Sequence, residues 1–176
     1  MPWFAVHVYG GNSATLGLLL GSAGLGAVSG MLYLAMRPSI RGLFRLIAVY
    51  ASTAGTALLA FAFCRVLPLG MLLVFFIGGG LMLSAASTNT ILQTLVPDEM
   101  RGRIASIYVM SFLGLAPMGA LIGGWVAERY GPPVTLAAGG VLVLASAMVY
   151  FSTLPAIRRE IRPLYERLGI VPPPQS

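Results

Sequence analysis

The chain has 176 residues, of which 57% are hydrophobic and only 9% are charged, with 22 glycines and a mean hydropathy of +0.87. Values this apolar lie outside the range of soluble domains and indicate an integral membrane protein. One Cys and one His, far apart in the chain, exclude a disulfide, a metal centre or a Cys–His nucleophile built from this chain alone, so we expect no enzyme activity and no cofactor.

The first 36 residues contain no Asp, Glu, Lys or Arg, but a turn signal, Gly-Gly-Asn-Ser at 10–13, divides them unequally. A helix needs about 20 apolar residues to cross a bilayer about 30 Å thick. Residues 2–9 are too few, and we interpret them as the outer end of a helix whose beginning is absent. Residues 14–36 are predicted to form the first span. No basic region precedes the apolar stretch, which argues against a signal peptide.

Charged residues delimit four further predicted spans. These are residues 46–64, 68–95, 104–127 and 133–153. Runs of this length, without the alternation of barrel strands, must be helical because every backbone N–H in lipid needs an internal partner. We therefore predict an all-α integral membrane protein with a partial transmembrane bundle at 1–156. Residues 157–176 are predicted to be a basic cytoplasmic tail, either a solvated segment or, through its proline run, a polyproline II ligand.

The distribution of arginine predicts the orientation, since short cytoplasmic connections collect basic residues. Arg65 and Arg129 lie on one side of the predicted membrane. The other side holds Arg37, Arg41, Arg45, Arg101, Arg103, Arg158, Arg159, Arg162 and Arg167. We therefore expect a multi-pass protein of the cell membrane with a cytoplasmic C-terminus. Its basic face favours anionic lipid of the bilayer, and the net charge of +6 requires no nucleic-acid partner.

The stretch VPDEMRGRI, residues 96–104, places four charges between two apolar spans. One interpretation is a seven-residue polar turn, in which Asp98 or Glu99 accepts hydrogen bonds from backbone N–H groups at the start of the next helix. The other is a cytoplasmic gate, in which those acids pair with Arg101, Arg103 or a further arginine. The residues alone leave both interpretations open.

A resemblance to a known family favours the gate. The stretch NTILQTLVPDEMRGRIASIYVMSFLGLAPMGALIGGWVAERYG, residues 89–131, resembles the tenth and eleventh helices of the major facilitator superfamily. The match is to its drug:proton antiporter branch, which includes the enterobactin-exporter-like transmembrane secretion effectors. Residues 15–43 are similar to the eighth helix and its following loop, where Arg37 and Arg41 match basic positions. The resemblance extends to about residue 153.

The resemblance implies that the five spans correspond to helices eight to twelve of a twelve-helix carrier, with residues 2–9 as the end of helix seven. It implies a missing N-terminal half, or another membrane subunit, as a partner. The implied function is efflux of small amphipathic compounds or siderophore-like molecules across the inner cell membrane, by an antiporter. The alternative is a remnant that inserts without transporting, or that acts as a membrane interaction partner.

Small residues and one proline within the spans are candidates for helix packing or kinking, because close helix approach in lipid relies on small side chains. The predicted packing pairs are Gly17 with Gly21, Gly26 with Gly30, and Gly119 with Gly123. Pro117 removes a helix hydrogen bond and can bend the fourth span. The resemblance compares it with a proline helix signature of antiporters, whose bend serves alternating access.

Polar residues within the spans are candidates for a transport path, since they are costly in lipid. Asn89 and Gln93 fall on one face of the third span and are predicted either to line a path or to bond one helix to another. Further candidates are Tyr33, Ser106, Tyr108 and Ser111. The spans contain no Asp, Glu, Lys or Arg, so a proton-coupling acid would belong to the missing half, and His7 is interpreted as an interfacial residue rather than a proton relay.

Overall fold

The structure, a computed structural model, describes residues 2–37 and 42–167, and its regular elements in these ranges are all α-helices. They are α1 (Pro2–His7), α2 (Ser13–Ala35), α3 (Leu43–Phe63), α4 (Leu67–Leu95), α5 (Asp98–Tyr130) and α6 (Pro132–Arg167). Five of them, α2 to α6, are long and apolar enough to cross a membrane. The prediction of an all-helical fold with five membrane-spanning helices is confirmed.

The predicted turn at residues 10–13 separates α1 from α2. Gly10 has a φ of 58°, which a residue without a β-carbon adopts at low cost. Asn12 is the N-cap of α2, and its side-chain oxygen accepts a hydrogen bond from the backbone N–H of Ala14 at 3.0 Å. This bond satisfies one of the free donors of the first helical turn.

The prediction of a seven-residue turn between the third and fourth spans is wrong. Only Val96 and Pro97 separate α4 from α5, because Asp98 is already helical. Pro97 ends the preceding extended segment and serves as the N-cap of α5, and two acids follow in the first turn. That order of residues starts a helix, since acidic side chains are favoured near its positive end.

The last helix is also longer than predicted. α6 continues beyond the predicted span end at residue 153 as far as Arg167, so the first part of the predicted tail is helical. The apolar window of this helix ends at Ile157. The prediction of a polyproline II ligand falls on residues 172–174, which lie outside the described residues.

The helices form a row in the order α2, α4, α3, α6, in which each neighbouring pair is in extensive contact. Glycines lie at each of these contacts. A β-carbon on Gly79 would lie 2.9 Å from the carbonyl oxygen of Gly26 on α2, and one on Gly80 would lie 2.7 Å from that of Tyr50 on α3. One on Gly140 of α6 would lie 2.9 Å from the backbone nitrogen of Leu59. The backbones therefore approach more closely than any larger residue permits.

The short helix α1 is held in the apolar core at the end of the bundle where α2 and α4 begin. Phe4 is 1% exposed and packs on Phe61 of α3, with ring centroids 5.0 Å apart. Leu19 and Val74 complete the same cluster from α2 and α4. A segment too short to span the membrane is thus fixed by buried side chains.

The fifth helix differs from the others because none of its residues is buried. It has sparse contacts with α6 and α4, and large apolar side chains such as Met110, Leu121 and Ile122 are exposed. Pro117 lies inside this helix, which continues through it. The position of α5 beside the row therefore rests on its two ends.

The predicted glycine pairs have different surroundings in the structure. Gly26 and Gly30 lie in the contact of α2 with α4, where β-carbons would meet the carbonyl oxygens of Phe75 and Gly79. By contrast, a β-carbon on Gly17, Gly21 or Gly119 would meet no atom within 4 Å, and one on Gly123 meets only Thr135 at 3.9 Å. Within the described part of the chain no second helix lies against Gly17, Gly21 or Gly119, and Gly123 reaches only one side chain of α6.

We expect Gly26→Val to destabilise the bundle by about 1–3 kcal/mol, since the new side chain forces α2 away from α4. The matched control is Gly24→Val on the same helix, where a β-carbon meets nothing within 4 Å and we expect a change within about 0.5 kcal/mol. Cys64, the one cysteine, is buried, so its reaction with a thiol dye during heating in detergent reports unfolding. Equal midpoints for the two variants would contradict the packing argument.

Candidate functional site

The six residues predicted to line a transport path lie in three different parts of the structure. Tyr33 lies in a cleft formed by α2, α3 and α4. Asn89 and Gln93 are exposed on α4. The remaining three, Ser106, Tyr108 and Ser111, lie on α5. Among the pockets lined by described residues, none contains members of more than one of these sets.

The cleft that holds Tyr33 has a volume of about 200 Å³. It exists because Gly79 and Gly80 form part of its lining without side chains, while Phe75 supplies apolar surface. Tyr33 faces Tyr50 of α3 here, with ring centroids 6.2 Å apart. The cleft is thus apolar for most of its length with two phenol groups toward the end where α2 finishes.

Sequence reasoning missed Tyr50 as a partner of Tyr33. The two residues belong to consecutive antiparallel helices, and α4 lies between those helices in the row. Tyr33 and Tyr50 are 17 residues apart and lie on different helices, so no helical spacing in the sequence relates them. Arg37 lies close enough to interact electrostatically with Tyr50, which places one predicted gate arginine next to the same pair.

The amide residues of α4 lie one helical turn apart, so they share a face as predicted. Both are exposed, and no hydrogen bond of Asn89 or Gln93 to another helix is present in the described residues. A neighbouring hydroxyl does reach across, since Ser84 donates to the carbonyl oxygen of Ile47 on α3 at 3.5 Å. Among the described helices, the two amides therefore lie on an exposed face of α4 and not in a contact with another helix.

Two of the three polar candidates on α5, Tyr108 and Ser111, are three residues apart and share one face of that helix. Tyr108 and Ser111 line a shallow depression of about 430 Å³ with Phe112, Leu115 and Ala116. Ser106 does not line it and lies on the opposite face of the helix, where its hydroxyl donates to the carbonyl oxygen of Arg103 at 2.8 Å. The depression is formed by one helix alone, so it becomes an enclosed site only when another surface covers it.

The charged residues at the start of α5 form one ion pair within the first helical turn. Arg101 donates to the Asp98 carboxylate at 2.6 Å, three residues apart on the helix. The side chains are 46% and 85% exposed, respectively, and exposed pairs of this kind contribute about 0–1 kcal/mol. Glu99 and Arg103 are also exposed. This pair alone contributes little to stability.

The other predicted gate residues lie across the same end of the bundle. Arg37 is partly buried just after α2, and its guanidinium is near Gly42, where a β-carbon would lie 3.9 Å from a terminal nitrogen. Arg41 lies outside the described residues. α2, α4 and α6 finish at this end while α3 and α5 begin there, as their alternating directions require.

Metal-binding chemistry has no support in the described residues, which contain no group of three His, Cys, Asp or Glu side chains near one another. His7 lies at the opposite end of the bundle from the charged start of α5. Its Nδ1 is 3.2 Å from the carbonyl oxygen of Trp3 one turn earlier.

A family model described as transmembrane secretion effector matches residues 1–167, and thus every described helix. No curated protein and no solved structure matches the chain.

Proposed function

The chain belongs to the transmembrane secretion effector family of the major facilitator superfamily, and we propose that it is the C-terminal part of a carrier that exports small amphipathic compounds or siderophore-like molecules. The observation that carries the proposal is the family match over residues 1–167, which includes all five helices able to cross a membrane. Membrane transport follows from the family. The outward direction and the substrate class are our proposal.

We infer that transport requires a second helical half, on the same polypeptide or on another. Carriers of this superfamily bind substrate between two six-helix halves, and the five spans correspond to helices eight to twelve of that arrangement. The surroundings of α5 support this inference, because a β-carbon on Gly114, Gly119 or Gly124 would meet no atom within 4 Å. Small residues in lipid usually mark helix contacts.

In this proposal the exposed face of α4 with Asn89 and Gln93 lines the path, and the depression on α5 with Tyr108 and Ser111 continues it. The carrier is an antiporter, and its proton-binding acid lies in the second half, since the acids of α5 lie in its first and last turns and the apolar part between them, residues 104–127, has none. Asp98, Glu99 and Arg103 at the start of α5 form part of a cytoplasmic gate.

The alternative is a chain that inserts without transporting, or that acts as an interaction partner of other membrane proteins. The observation in its favour is that the path candidates lie on separate open surfaces. The two functions differ in one respect that experiment can reach: only the carrier gains activity when a matching half is supplied.

The orientation is tested with reporters. A reporter fused after Ser176 or inserted at Arg101 is expected to lie in the cytoplasm, and one inserted at Pro132 is expected to lie outside. The reason is that nine of the eleven arginines lie on the same side as Arg101 and the C-terminus. Paired alkaline phosphatase and green fluorescent protein fusions measure this in cells. The opposite pattern of signals would overturn the assignment from arginine asymmetry.

Transport is tested in liposomes with ethidium as the probe. The purified chain alone is expected to give no movement of ethidium driven by a pH gradient beyond that of protein-free liposomes, because it supplies neither an acid within the spans nor both walls of a path. Addition of an N-terminal half from another member of the family is expected to produce flux that a protonophore abolishes. Flux from the chain alone refutes the requirement, and no flux with the added half supports the non-transporting alternative.

The gate is tested with Asp98→Asn and Arg103→Gln, singly and together, in the chain combined with a second half. A pair that forms in only one state shifts the equilibrium between states, and a difference of about 1.4 kcal/mol changes the populations tenfold. We expect reduced export at normal membrane abundance, and effects in the double variant that are not additive. Since the Asp98 pair is exposed, stability should hardly change. Normal export by both single variants would contradict the gate and leave these charges as part of an ordinary helix start.

A further inference from the structure

A second pocket lies at the end of the bundle where α2, α4 and α6 begin, away from every residue considered for transport. Its volume is about 390 Å³. Trp3 and His7 line it from α1, Phe63 from the end of α3, Arg65 from the connection to α4, and Pro133 from the start of α6. Three segments that are distant in the sequence thus meet around one space.

Hydrogen bonds and packing hold the walls of this pocket in place. The Tyr9 hydroxyl donates to the carbonyl oxygen of Cys64 at 3.1 Å, which joins the end of α1 to the connection that carries Arg65. Burial and, to a lesser extent, this hydrogen bond raise the pKa of the Tyr9 hydroxyl above its ordinary value. Phe4 anchors α1 below the pocket. The site is therefore preformed.

One side of the pocket is lined by two stacked aromatic rings. The rings of Trp3 and His7, four residues apart on α1, stack with centroids 5.0 Å apart and an angle of 10°. The carbonyl oxygen of Trp3 only accepts hydrogen bonds, so the Nδ1 at 3.2 Å from it carries the proton. The Nε2 of His7 remains available to another partner. Phe63 and Pro133 supply further apolar lining.

The charge of the pocket is positive. Arg65 always carries its charge and offers five N–H donors, and the indole of Trp3 adds another. The residues that line this pocket include no acid. Since arginine is rare at this end of the bundle, where Arg129 is the one other example, the basic lining is a property of this position and not of a generally basic surface.

We propose that this pocket binds a small organic anion, a carboxylate or phosphate group carried on a flat apolar body. The anionic group contacts the Arg65 guanidinium, and the apolar body lies against the Trp3–His7 stack. The anion of a phospholipid headgroup offers the same chemistry as a free solute, and the experiment separates the two. The proposal is independent of the transport function.

The two tryptophans of the chain make the pocket directly observable. Trp125→Phe removes the indole of α5 and leaves Trp3 as the one tryptophan. With the full chain in phosphatidylcholine nanodiscs, benzoate is expected to change Trp3 emission along a saturating curve. Benzamide, the neutral analogue of the same shape, is expected to bind at least about tenfold more weakly, which corresponds to about 1.4 kcal/mol.

Arg65→Gln in the same background is expected to weaken benzoate binding at least tenfold. The matched control is Arg129→Gln, because Arg129 lies at the same end of the bundle and does not line the pocket. Trp3→Phe with Trp125 retained should give no saturating signal. Circular dichroism and thermal midpoints equal to those of the control show that the Arg65 variant is folded.

Three results would overturn the proposal: a response to benzoate that does not saturate, equal responses to benzoate and benzamide, or equal binding by the Arg65 and Arg129 variants. A second arm replaces part of the phosphatidylcholine with phosphatidylglycerol. If this changes Trp3 emission without benzoate, and the change is lost in Arg65→Gln, the anion in the pocket is a lipid headgroup. If emission is unchanged, the anion is a free solute.

Discussion

The bundle depends on backbone contacts that glycine makes possible. In lipid, apolar side chains gain little by leaving one apolar environment for another, so helices are held by close packing. Gly79 and Gly80 are adjacent on α4 and point in directions about 100° apart. One therefore meets α2 and the other meets α3. A similar contact of Gly140 with α3 adds α6, and the row of four helices follows from these few positions.

The glycines of the fifth helix have no neighbouring helix to pack against in the described chain. α5 contains glycines as α2 and α4 do, but its side chains are not buried by the rest of the described chain. The two-residue connection before it and Gly131 after it fix its ends. Its middle has only lipid or another protein to contact. The placement of α5 is thus the part of this structure that most depends on what lies beside it.

The sequence predicted the helices better than their ends or their contacts. A long apolar segment is enough to identify a membrane span. The sequence predicts five spans because hydropathy measures the apolar character that the bilayer core requires of a helix. Hydropathy does not detect helical turns made of charged residues. The sequence therefore predicts a loop at residues 98–103, although these residues form the first turns of α5. Contacts require the register between helices, so Gly26 and Gly17 look equivalent in the sequence although only Gly26 meets α4. The pocket at Arg65 was missed because its walls come from three distant segments.

Hydroxyl side chains within the spans are weak indicators of a transport path in this chain. Ser22, Ser52 and Thr88 each donate to the carbonyl oxygen four residues earlier, at 2.8, 2.7 and 2.9 Å. Such a bond satisfies the hydroxyl within its own helix, and no cavity is needed. A carboxamide has two N–H donors and a carbonyl acceptor, more than one helix satisfies. Asn89 and Gln93 therefore require water, a solute or another helix beside them, and this requirement favours the exposed face of α4 over the hydroxyl-bearing faces as the wall of a path.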